Sequence, residues 1–318
     1  MSATYLHDHP EFEQLLRTVE GETGISVQLI EKDYWIMHVL FGLKQRGFEF
    51  ELKRGTSLSK AYQIIDRFSE DIDIHIKPKP EHMVNENPKN TKASAVEARR
   101  KFYNRLAEEI KIDGIVGVER DEAFDAPKTY NSGGIRLYYR SLFDTLEGVK
   151  DGILLEVGFD QVTPNSPRMI TSWAFEKAAP VLGSSIIDNR AQEISCYHPG
   201  YTFVEKLQTI ATKFRIERNT GIEKPNLLRQ YYDVYSLLSN EEVLHFIGTP
   251  EYRAHKKARF AQIDFDLPLK DNQAFLLADP ELRSGFEQRY KKTASLYYKG
   301  QPEFAKLIER IHEHIDIL

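Results

Sequence analysis

The chain has 318 residues, 41% of them hydrophobic, and a net charge of −5; that length allows two domains and that composition allows real cores. The acidic balance assigns any nucleic-acid binding to local patches rather than to a global positive field, and weighs against a polynucleotide partner. A single cysteine, Cys196, excludes disulfide frameworks and cysteine-rich zinc sites. With no secretory signal and no membrane-length apolar run in the sequence, a soluble cytoplasmic protein with no membrane partner is expected.

No fixed-period repeat is present, which argues against a solenoid. A short helix is expected over 10–20. After Gly24, the apolar positions Val27, Ile30, Tyr34, Met37, Leu40 and Phe41 keep helical spacing, with Ser26 placed to cap. Residues 48–53 then alternate apolar and polar. They meet a small-residue turn at Gly55, Thr56 and Ser57, followed by a helical pattern through Ile65. In Glu70-Asp71-Ile72-Asp73-Ile74, strand geometry sends Asp71 and Asp73 to one face while Ile72, Ile74 and Ile76 share the other.

Two carboxylates on one face suit metal-bound phosphate chemistry. Mg²⁺ takes oxygen ligands from one or two carboxylates plus substrate phosphates, and a glycine turn opening a helix presents free amides to anionic oxygens. A bare Asp-x-Asp is equally a surface strand with solvated acids, and the preceding turn is what separates the readings.

Residues 78–92 have loop composition, and 93–110 read as a basic helix whose Arg99, Arg100, Lys101 and Arg105 form either a phosphate-contacting or a solvated face. Strands are expected at 115–119, 134–140 and 153–159. In the last, Glu156 is an acid inside an apolar run, costly unless paired or metal-bound, or else an edge-strand acid; Asp160 is placed as a turn residue. The stretch between Gln161 and Pro199 is proline- and serine-punctuated and serves as the boundary region, with Trp173 and Phe175 as packing anchors. A helix after Pro199-Gly200 carries the stripe Phe203, Leu207, Ile210 and Phe214, leaving Lys206 and Lys213 off it, and a second helix covers 226–238. Helices are expected again at 242–247, 251–261, 280–292 and 302–315. Arg253, His255, Lys256, Lys257 and Arg259 form the densest basic cluster. Lys291 and Lys292 with Tyr290, Tyr297 and Tyr298 form a basic-aromatic patch able to accept an exposed base, or another solvated face.

Gly55-Thr56-Ser57-Leu58-Ser59-Lys60 followed by Arg67-Phe68-Ser69-Glu70-Asp71-Ile72-Asp73 resembles the signature of the AbiEii/AbiGii toxin family, within the DNA polymerase β-like nucleotidyltransferase superfamily. Glu31-Lys32-Asp33-Tyr34-Trp35, Glu205-Lys206-Leu207 and Arg229-Gln230-Tyr231-Tyr232-Asp233-Val234-Tyr235 extend the resemblance to both halves. One departure stands out: the family usually carries two adjacent glycines before the threonine, and the first is Arg54 here. Either the backbone there needs no positive φ, or nucleotide binding is altered.

The resemblance implies an α/β (α+β) fold with a nucleotidyltransferase core of mixed sheet and N-terminal helices over 1–180. A mainly helical domain over 181–318 would complete the active-site cleft. It further implies Mg²⁺, or Mn²⁺, held by Asp71 and Asp73 with Glu156 as third acid and general base. Gly55, Thr56, Ser57, Lys60, Arg67, Ser69 and Lys206 would bind the NTP, and Asp233 would be an essential acid orienting Lys206 or the incoming substrate. Without the resemblance, Lys206 reads as solvated and Asp233 as an ion-pair partner. The implied function is a toxin of an AbiE-like (type IV) toxin–antitoxin or phage abortive-infection system. It would transfer NMP from NTP to an RNA acceptor such as the tRNA 3′ end, with an antitoxin protein or antitoxin repressor as partner. Transfer to a small molecule or protein, or nucleotide binding without transfer, are the alternatives.

Overall fold

The computed structural model describes residues 3–144, 149–160 and 162–318; Gln161, which opens the expected boundary region, lies outside the described residues. The chain forms two compact units. One is Met1–Ala61 with Ser69–Tyr197, and the other is Tyr62–Phe68 with His198–Leu318. An α/β fold is what the chain adopts, with the strands in the first unit and helices dominating the second.

The first unit is built on a mixed sheet of seven strands among the described residues: β1 (Phe50–Leu52), β2 (Asp71–Ile76), β3 (Ile115–Asp121), β4 (Ser132–Tyr139), β5 (Ile153–Gly158), β6 (Asn165–Ile170) and β7 (Ala191–Tyr197). Their order is β3-β4-β5-β2-β1-β7-β6. Central β2 runs antiparallel to β1 and parallel to β5. Its alternation is the expected one: Ile72, Ile74 and Ile76 are at most 1% exposed, and the intervening residues are half-buried. The Val27–Gln45 helix packs on β5 and β7, burying Ile30, Tyr34, Met37 and Leu40 completely. Ser26 sits at its N-cap, but its hydroxyl donates to Gln28 Oε1; the Glu20 carboxylate caps instead, accepting from the Val27 amide at 2.8 Å.

Three expectations for this unit are corrected. The helix after Gly55 stops at Ala61 and does not reach Ile65. It is a turn over Arg54–Thr56 running into a π-helical Ser57–Ala61, and the chain then leaves for the second unit. The proline- and serine-rich stretch is not a plain boundary, because it holds β6, the Trp173–Leu182 helix and β7. Pro167 is tolerated there because β6 is the sheet's edge strand, where an amide-free residue need not break a ladder. Arg99 is no surface cation either. It is wholly buried, and its guanidinium donates to the carbonyls of Asn85, Asn87 and Asn90, pinning the loop ahead of the Ala93–Glu109 helix.

In the second unit, helices Pro199–Thr220, Leu227–Leu237, Pro250–Arg259, Pro280–Lys291 and Phe304–His314 carry the core. Phe203, Leu207, Ile210, Tyr231, Phe275 and Ile308 are fully buried. Tyr290 and Tyr297 belong to this core at 1% and 5% exposure, so the expected basic-aromatic patch does not offer them to a base. The basic cluster on Pro250–Arg259 is partly engaged internally. His255 and Arg259 each lie 3.5 Å from Glu205, and Lys256 donates to the Leu318 carbonyl.

Candidate functional site

In the first unit the parallel pairing of β2 and β5 sets Asp73 directly opposite Glu156, with Asp71 opposite Leu154. Side chains on paired strands share a face at matched register, so the three acids form one acidic strip. Burial, joined by the charge of Asp73, holds the Glu156 carboxyl above its usual range, with Arg54 and Lys53 opposing. Asp71 Oδ1 is buried without a hydrogen-bond partner, while Oδ2 lies 2.5 Å from Lys150 Nζ. Arg54 Nη1 bridges Asp73 Oδ1 at 2.8 Å and Glu156 Oε1 at 3.3 Å.

The turn between β1 and β2 orients its hydroxyls inward. Thr56 Oγ1 donates to the Asp71 carbonyl and lies 3.2 Å from Ser69 Oγ, and Ser57 is fully buried. Lys60, expected on phosphate, pairs with the fully buried Asp33 and lies 5.3 Å from the Trp173 ring. The segment around Asp33 is therefore supportive: Asp33 holds Lys60, Glu31 accepts from Ser141 Oγ and the Leu142 amide, and Lys32 donates to the Lys150 carbonyl. Burial brings Lys32 down to about 8.

In the second unit, Arg67 grips Asp233 with two parallel bonds, Nε to Oδ1 at 2.6 Å and Nη2 to Oδ2 at 2.8 Å; Lys206 Nζ reaches Oδ2 at 2.8 Å. Asp233 is 0% exposed and its two cations 5% and 7%. Burial presses the Asp233 carboxyl upward, but Arg67 and Lys206 overcome it and hold it below its usual range. One carboxylate thus fixes two cations, leaving a net positive buried cluster. Lys206 is neither solvated nor off the buried face.

A family comparison identifies the group to which this arrangement belongs. The family described as "Nucleotidyl transferase AbiEii toxin, Type IV TA system" matches residues 40–310. The chain belongs to the AbiEii family. Among solved structures, JHP933 from Helicobacter pylori is similar at 15% identity and TM-score 0.48, over 92% of this chain and 95% of that one. An antigenic nucleotidyltransferase-like protein from Paracoccidioides brasiliensis is similar at 11% identity and TM-score 0.36, over 72% and 94%. No curated protein sequence gives a match.

For an AbiEii-family chain, the residue ahead of Gly55 is the informative departure. Arg54 has φ +55°, so the backbone does adopt the left-handed conformation a glycine would favour, and an arginine accepts it. Sequence reasoning noted Arg54 only as a missing glycine and had no signal for Lys150, whose loop is distant in sequence from Asp71. Hard carboxylate oxygens with an orphaned Asp71 Oδ1 fit a divalent cation completed by substrate phosphates. No group of three or more metal-binding side chains is assembled among the described residues. Among the same residues, no helix is long and apolar enough to cross a membrane.

Proposed function

We propose that this AbiEii-family toxin transfers a nucleoside monophosphate from an NTP to the 3′ end of an RNA, tRNA foremost, releasing pyrophosphate. The observation that carries the reading is the shared face of Asp71 and Asp73 with Glu156 in register opposite Asp73. Asp71 and Asp73 would hold Mg²⁺ or Mn²⁺, which when bound supplies positive charge to the oxygens around the α-phosphorus. The Gly55–Ser57 backbone and Ser69 border the acids and support a nucleotide-binding role. Glu156 takes the proton of the attacking hydroxyl. Arg67 and Lys206, held by Asp233, supply phosphate-binding charge in the second unit, the fork of Arg67 and the point charge of Lys206 being complementary donors. Membership in a type IV toxin–antitoxin family supports a cognate antitoxin, whether it binds the toxin or represses its expression.

The test incubates the protein with Mg²⁺, total tRNA and each α-labelled NTP in turn, beside the Asp71→Ala/Asp73→Ala variant. Label entering tRNA with the parent alone supports the reading and names the nucleotide. Nucleotide binding without label transfer to tRNA sinks it in favour of another acceptor or a binding module. The pairing of all three acids with the chain's own cations is what keeps the binding module in view.

A further inference from the structure

The acidic strip is already neutralised from within. Lys150 takes Asp71, Lys53 stands within electrostatic reach of Glu156, and a single guanidinium nitrogen of Arg54 touches both Asp73 and Glu156. A cation bridging two carboxylates from neighbouring strands does there what a metal ion would do. We infer that Arg54 is a displaceable internal counter-ion: it occupies the cation position between Asp73 and Glu156 and must withdraw before a divalent ion binds. The inference rests on the metal-dependent reading above and adds to it that the free protein is held in a metal-poor state.

Three features support displacement rather than a permanent structural pair. Asp73 and Glu156 are 14% and 31% exposed while the Arg54 side chain is 39% exposed, so the guanidinium has solvent to move into. Its backbone at φ +55° is a conformation that arginine rarely adopts and glycine adopts freely, so the side chain does not sit there for backbone reasons. A carboxylate-paired guanidinium also matches phosphate oxygens equally well, which gives it a second partner once a triphosphate arrives. No bond is made or broken in this exchange, only ion pairs.

Mn²⁺ alone is the probe, titrated into the full chain and followed by the spin-resonance signal of the free ion. Arg54→Gly and Arg54→Gln are compared with the parent and with Asp71→Asn/Asp73→Asn; the glutamine variant removes the charge while keeping a side chain at the strained position. Both Arg54 variants are expected to bind Mn²⁺ about tenfold more tightly than the parent or better. A crystal of the parent with Mn²⁺ should show the guanidinium more than about 4 Å from both carboxylates, beyond ion-pair range. Equal affinity in parent and Arg54 variants, abolished by the double asparagine variant, overturns the counter-ion role and leaves the metal reading standing. So does Mn²⁺ bound with Arg54 still bridging. Failure of every form to bind Mn²⁺ overturns the metal reading and this inference together.

Discussion

Asp233 shows what one buried residue can hold. With two cations on one wholly buried carboxylate, its removal leaves Arg67 and Lys206 facing each other without a counter-charge. Asp233→Asn is therefore expected to destabilise the second unit by about 3–5 kcal/mol, read as a shifted urea midpoint. The pH sense follows from the depressed carboxyl: its contribution is complete above the usual carboxylate range and is lost as pH falls below it, so the parent–variant difference should be flat near neutrality and shrink only in acid. Thr56 works at smaller scale. Its hydroxyl satisfies the Asp71 carbonyl, and Thr56→Val should lower stability by about 1–2 kcal/mol while leaving the fold intact by circular dichroism.

Among elements, two histidines fasten the Val27–Gln45 helix, His7 tying the N-terminal segment to it and His38 tying it to the segments of Asp113 and Asn189. His7 Nδ1 lies 2.8 Å from the Tyr34 hydroxyl, and His38 lies between the Asp113 carbonyl at Nε2 and Asn189 Nδ2 at Nδ1, each 2.8 Å away. A carbonyl only accepts, so Nε2 of His38 carries the proton and Nδ1 accepts, which is the neutral ring. Burial lowers both histidines from 6.5 to about 4. Between those values the unfolded chain binds more protons, so stability falls as pH drops from 6.5 toward 4, by roughly 2–3 kcal/mol per histidine. Denaturation midpoints against pH should flatten in His7→Gln/His38→Gln; an unchanged slope would place the titration elsewhere. Arg99 makes an analogous prediction for a loop: Arg99→Met should speed proteolytic cleavage within 83–92 without loss of helical signal.

The elements also show why some of the site was legible and some was not. Asp71 and Asp73 could be read because period-two alternation with three isoleucines fixes their face, and Glu156 because an acid stands out in an apolar run. Strands β6 and β7 could not, since their sequences carry Pro167 and few residues of high strand propensity, and β7 earns its strand state from parallel pairing with β1 far earlier in the chain. The caging of the acids by Arg54 and Lys150 was out of reach for the same reason: contacts between distant segments leave no local pattern.

On the scale of the whole molecule, the chain crosses between its units more than once. It leaves the first after Ala61, lends Tyr62–Phe68 to the second, and returns at Ser69. The lent segment includes Arg67, and Phe68 donates its amide to the Leu296 carbonyl at 2.7 Å. A fragment of residues 198–318 would keep Asp233 and lose its guanidinium, so it should melt well below the second unit in the intact chain, or not fold, when heated under circular dichroism. A fragment as stable as the intact unit would show the lent segment to be dispensable. The same threading sets an order of events on the ribosome. The far side of β1 must wait for β7, and residues 62–68 must wait for the helices that follow Tyr197, so neither unit can close until the C-terminal half is being made. Chains terminated ahead of Ala191 would therefore lack both β7 of the finished sheet and the Lys206 and Asp233 that complete the Arg67 cluster.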